Sequence, residues 1–244
     1  MAGPLWVTAW TALGGPRTAL LATVFSGAAA LMLVPGLVPR GRADAPASAP
    51  GRSPLGAPGV RVLGAVYLAY WVCMGAMWVL VPAFAARSGH PEQAGPLVTV
   101  WSVGSLAGGL LLAARRRQLR LRVAYPALLA VLFATSLPLV LPTDPAQMAV
   151  AAAVFGLGLA PWLAVSDELV GHAAPAGRAG EAYGWLATAG QLGGATGAAL
   201  AGQLADRHGG GPAFLLVSAA IGAGLAVALL GRRALPADPP NPAR

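Results

Sequence analysis

Tyr67, Trp71, Met74 and Trp78 recur at intervals of four, three and four residues, a spacing that sets all four on one face of a helix. Tyr70 and Met77 widen the stripe. Aromatic rings and thioethers form a surface suited to flat, apolar or cationic ligands, through stacking and attraction of a cation to the ring face. Such a stripe faces lipid, packs in a core or walls a cavity, and periodicity alone does not choose among the three. Further along, Trp162 follows Pro161 and shares a face with Phe155 and Leu159. Gln191, with Thr188 about a turn before it, lies in an otherwise apolar, glycine-rich stretch. A buried amide needs a partner, so Gln191 either bonds across to another helix or faces a wet pathway.

Residues for proton, metal or nucleophile chemistry are sparse. Asp167, Glu168, His172 and Glu181 fall between two apolar stretches and read as solvated loop charges. Glu168 and His172 are four apart, but no third ligand accompanies them, so neither a metal site nor a cofactor is expected. The lone Cys73 reads as a small packing residue. With no phosphate-binding glycine loop and no nucleophile–base pair on the apolar stretches, an enzyme has no support. A proton-driven carrier needs a carboxylate or histidine inside the membrane, and none falls in these stretches, so any coupling residue is expected elsewhere.

The elements that carry these side chains are seven apolar stretches, at 18–38, 60–85, 97–114, 123–141, 146–166, 182–205 and 212–231. A helix needs about 20 apolar residues to cross a hydrocarbon core of about 30 Å. Charged residues are 10% of the chain, too few to give seven such helices a polar shell in water. The expected class is all-α, a polytopic membrane helix bundle. Glycines at four-residue spacing (Gly190 with Gly194, Gly193 with Gly197, Gly104 with Gly108) let helices approach closely, which matters where lipid offers no hydrophobic drive to associate. Trp101 and Trp185, near stretch ends, read as interfacial anchors.

The net charge of +8 raises the question of a nucleic-acid partner, and the placement of the arginines argues against one. Arg40, Arg42, Arg52, Arg61, Arg115, Arg116, Arg117, Arg120, Arg122, Arg178, Arg232, Arg233 and Arg244 fall in alternate gaps and the tail, leaving Arg17, Arg87 and Arg207 for the other side. That asymmetry puts the C-terminus and the gaps 40–59, 115–122 and 167–181 in the cytoplasm. A chain without lysine and rich in Ala, Gly, Pro and Arg suggests a bacterial source, hence a multi-pass protein of the inner membrane with the lipid bilayer as its surroundings. No positive segment precedes the first apolar run, so a cleaved signal peptide is not expected.

Residues 4–14 are apolar but about half a span long, and Gly14, Gly15 and Pro16 break the helix before Arg17. They read as the outer half of a helix whose inner half is absent, ahead of a full span at 18–38. Residues 39–58, rich in Pro, Ala, Gly and Ser, read as an extended cytoplasmic linker. Six spans follow over 59–231, with a cytoplasmic tail at 232–244. A long loop followed by six spans is the layout of one half of a two-lobed transporter.

The segment Gly180-Glu-Ala-Tyr-Gly-Trp-Leu-Ala-Thr-Ala-Gly-Gln-Leu-Gly-Gly-Ala-Thr-Gly-Ala-Ala-Leu-Ala-Gly-Gln-Leu-Ala-Asp-Arg-His-Gly209 is similar to the eleventh helix, and the turn into the twelfth, of the major facilitator superfamily. Arg115–Arg122 resembles that family's basic loop between the eighth and ninth helices, Gly3-Pro4 the Gly-Pro pair of its antiporters' fifth helix, and Gly15-Pro16-Arg17 the turn into the sixth. Gly202–Gly209 also resembles the family's loop motif after the second helix. It reads as a tight turn, with Asp206 near the N-terminus of the last helix, where negative charge is favoured. The resemblance implies a six-helix C-terminal lobe plus one and a half helices of an N-terminal lobe, the rest of which is missing. It implies that the stretch holding Tyr67–Trp78 lines a central cavity and that the one holding Trp162 borders it. The substrate-binding set expected on that basis is Tyr67, Trp71, Met74, Trp78, Trp162, Thr188 and Gln191. The implied activity is export of an amphipathic small molecule by alternating access. The alternative is a fragment that inserts without transporting. A non-transport membrane scaffold or enzyme stands behind both.

Overall fold

The computed structural model describes residues 53–114, 120–208 and 210–236. The chain divides into two compact units, Met1–Gly51 and Arg52–Arg244. The expected half-helix 4–14, the span 18–38, linker residues 39–52 and the end of the tail lie outside the described residues.

The described residues of the second unit form helices joined by turns, with no strand among them. Its principal helices are α1 (Pro58–Arg87), α2 (Ala94–Ala114), α3 (Leu121–Ser136), α4 (Pro145–Gly156), α5 (Leu159–Ala173), α6 (Ala179–His208) and α7 (Leu215–Leu230). Prolines stand at the starts of α1 and α4, where a missing N–H costs nothing. The Asp144 carboxylate caps α4 by accepting from the Gln147 N–H at 2.9 Å. Gly89 (φ 78°) and Gly177 (φ 75°) make the left-handed turns that close α1 and precede α6.

Among the described residues, five spans are long and apolar enough to cross a membrane: Pro58–Arg87, Pro91–Ala114, Leu121–Val140, Pro145–Ala173 and Gly210–Leu230. The sixth expected span is present as the 30-residue α6 but falls outside that apolar set. Glycines, threonines and glutamines lower its hydropathy. This is a multi-pass helix bundle.

The span at 145–173 is broken between α4 and α5. Pro161 has no N–H to give the Leu157 carbonyl, so the ladder is interrupted there. That carbonyl lies directly against Gly108 of α2, and the Ala153 carbonyl lies against Gly104, so any side chain at either glycine would collide with backbone. Close contact of this kind between Cα–H groups and carbonyls is a recurring feature of helix interfaces.

Three expectations need correction. Asp167, Glu168 and His172 belong to the last turns of α5 rather than to a loop. The apolar face of Leu159, Trp162, Val165, Leu169 and Val170 continues at helical period beside them, while Asp167, Glu168 and His172 stay exposed on the other face. Gly202–His208 are the final turns of α6 rather than a turn, so Asp206 closes α6 instead of opening the next helix. The Arg87 guanidinium donates to the Ala205 carbonyl there at 3.3 Å, supplying positive charge where a helix end favours it. Trp101 is 5% exposed and packs on Trp78 with ring centroids 5.4 Å apart, so it is no interfacial anchor.

Helix α1 is the hub. It packs along α6 and α7 and touches α2 and α5, while α2 packs on α4 and α3 on α7. The α3–α7 contact holds a buried hydroxyl pair, Ser136 Oγ donating to Ser218 Oγ at 2.9 Å.

Candidate functional site

Tyr67, Tyr70 and Trp71 occupy one turn of α1, with Tyr70 and Trp71 edge to face at a centroid distance of 6.0 Å. Trp162 reaches them from α5. It stacks on Tyr70 at 4.3 Å and lies 6.4 Å from Tyr67. Tyr125 of α3 also stacks on Trp162, at 5.7 Å. At the far end Trp71 and Tyr67 lie across Gly190 of α6, where a Cβ would stand 3.0 Å from Trp71 Cδ1 and 3.3 Å from Tyr67 Cε1. Five rings thus run through α3, α5 and α1 to the glycine face of α6. Offset and tilted ring pairs of this type contribute beyond their buried area.

The band also holds polar atoms with no hydrogen-bond partner. Trp71 Nε1 and Trp162 Nε1 are buried donors without a partner among the described residues, while Tyr125 OH and Ser166 Oγ are buried beside each other. Ser166 lies one turn beyond Trp162 on α5. Buried donors without acceptors are costly, so this region is chemically suited to a water or to an acceptor on a bound molecule.

The expected site residues separate. Tyr67, Trp71 and Trp162 meet. Met74 is buried beside them in the lobe, at 5% exposure. Trp78, two turns on from Trp71, is 52% exposed and belongs to the α1–α2 side, against Trp101. Thr188 and Gln191 lie on the exposed outer surface of α6, away from the rings. The Thr188 hydroxyl donates back to the Gly184 carbonyl at 3.1 Å, and Gln191 makes no hydrogen bond among the described residues. Tyr125 and Ser166 were not expected in the cluster. No periodic pattern links them to α1, and only the approach of α3 and α5 joins them.

The glycines separate too. Gly190, Gly193 and Gly197 face α1, with Gly197 against the Val72 backbone. Gly194 contributes its carbonyl, which lies against Gly75, while its own Cβ position is open. Gly104 and Gly108 face the α4–α5 span.

Helix α6 is asymmetric. Ala182, Leu186, Gly190, Gly193, Gly197, Ala201 and Ala205 are buried at helical spacing, while the exposed side mixes polar Thr188, Gln191, Thr196 and Gln203 with Tyr183, Trp185, Leu192, Ala195, Ala199 and Leu200. That surface places four uncharged polar side chains among apolar ones. Among the described residues no group of three His, Cys, Asp or Glu is placed to hold a metal ion.

Lipid-length helices, close glycine crossings and an aromatic band linking three of them define a multi-pass membrane helix bundle. The family model "Major Facilitator Superfamily" matches residues 1–198 and, in a second alignment, residues 63–244, and the chain belongs to that superfamily of membrane transporters. No curated protein matches it.

Proposed function

We propose that this chain supplies the C-terminal lobe of an alternating-access carrier that exports amphipathic small molecules from bacterial cells across the inner membrane. One observation carries the reading: the outer face of α6 exposes Thr188, Gln191, Thr196 and Gln203 among Trp185, Leu192 and Leu200, and uncharged polar side chains repeated along a membrane helix suit a wet pathway. The half-buried Tyr67 and Trp71 adjoin the same helix and offer ring faces to a flat or cationic substrate. Trp162 and Met74 back those rings from inside the lobe, and Trp78 extends the stripe toward α2. Residues 59–231 form the lobe itself. The starts of α1, α3 and α6 and the end of α7 carry most of the described arginines and face the cytoplasm.

The test is transport of a panel of lipophilic cations and neutral amphiphiles by cells making the wild type, Trp71→Ala or Gln191→Ala at matched membrane levels. Trp71→Ala should weaken handling of cationic aromatics about 3- to 30-fold, the range of one desolvated cation–π contact. Gln191→Ala should change the ranking of polar substrates. Unchanged ranges in both variants would return these residues to helix packing.

A further inference from the structure

We propose that the end of the bundle where α7 finishes carries a site for the headgroup of an anionic phospholipid. The chain leaves α7 at Gly231, which sits so close to α1 that a Cβ there would stand 2.6 Å from Val62 Cγ2. Residues 231–234 then turn, the Ala234 N–H donating to the Gly231 carbonyl at 2.8 Å. The Ala234 carbonyl lies over Gly59 at the start of α1, 2.8 Å from where a Cβ would be, and Ala173 at the end of α5 adjoins the same spot. Leu235 is buried, 3% exposed, and anchors the segment. From α3, Arg122 Nε donates to the Arg232 carbonyl at 3.0 Å. This short strap therefore crosses the ends of α1 and α3 and is held against both, with the end of α5 alongside.

Its fixed position brings basic side chains together. Arg232 and Arg233 on the strap, Arg61 on α1 and Arg120 before α3 are all exposed. Among the described residues, the carboxylates at this end are Asp167, Glu168 and Glu181 on α5 and α6, and Glu181 pairs with Arg178. No described carboxylate stands on the strap or at the starts of α1 and α3. The planar guanidinium groups match phosphate oxygens two at a time, and the helices leave the hydrocarbon here, at the depth of headgroups. Anionic lipid surfaces attract such basic clusters, each arginine strengthening the attraction several-fold. The anchored Leu235 holds the strap's arginines in place before any lipid arrives, so less ordering is lost on binding.

The full chain in nanodiscs of phosphatidylcholine, with or without phosphatidylglycerol, tests this by native mass spectrometry of retained lipid and by thermal unfolding. Phosphatidylglycerol should be retained over phosphatidylcholine and raise the unfolding midpoint. Replacing Arg61, Arg232 and Arg233 together by Gln should weaken retention roughly 100-fold, about five-fold per arginine, while Arg207→Gln at the opposite end leaves it unchanged. Equal retention of both lipids, or an unaltered preference in the triple variant, overturns the proposal. Inorganic phosphate reproducing the stabilisation would assign the site to a free anion and overturn the lipid assignment. Should the triple variant fail to insert, wild-type retention that does not fall as salt rises overturns it equally.

Discussion

Replacing Gly197 with alanine adds one methyl group at the closest crossing of α1 and α6. The new Cβ would stand 2.7 Å from the Val72 carbonyl carbon and 2.8 Å from its Cα, backbone atoms that no rotamer change can move. The Val72 carbonyl oxygen is nearer still, so restoring ordinary contact requires the helices to part by more than about 1 Å, and a gap of that order forfeits roughly half of the dispersion energy of each facing atom pair. The same opening loosens Gly193 against the Leu68 carbonyl and Gly75 against Gly194. Overpacking of this kind costs about 1–3 kcal/mol. Alanine's helix propensity offsets little of that, because in a membrane the separated helices stay helical. Gly194, three residues earlier, is the internal control, since a Cβ there meets nothing within 4 Å. In detergent, tryptophan fluorescence should report a midpoint lower by about 4–8 °C for Gly197→Ala, corresponding to ~2 kcal/mol, and nearly unchanged for Gly194→Ala. If Gly194→Ala proves as destabilising as Gly197→Ala, the assigned rotation of α6 on α1 is wrong.

Trp162→Ala should destabilise the lobe by ~3–5 kcal/mol, because the indole is fully buried against Tyr70 and Tyr125. Trp162→Phe should recover much of that loss in the same unfolding assay. Cys73 is 0% exposed in the middle of α1, so maleimide should label it only after denaturation. Prompt labelling of the folded protein would mean that α1 is solvated there.

The family and five of the expected spans were legible in the sequence because both rest on local properties. A run of about 20 apolar residues declares a crossing helix wherever it sits, and Gly180–Gly209 carries its resemblance residue by residue. Glycine spacing likewise announced close helix crossings. What the chain alone left open was the rotation of each helix. In a water-soluble helix the polar face marks the outside, but α2 and α7 are apolar nearly all round, so lipid-facing and core-facing positions look alike. Tertiary contact therefore decided that Gly197 faces α1 while Gly194 does not, that Trp101 is interior, and that the stripe from Tyr67 to Trp78 splits between two neighbours. Tyr125 joined the aromatic band only because α3 packs beside α5, more than thirty residues further along the chain. The length of α5 was a tertiary outcome as well: its charged last turns stay helical because Leu169 and Val170 on the opposite face still have a core to enter. Where the solvent is as apolar as the core, sequence sets how many helices there are and how closely they can approach, and the neighbours set which way each one turns.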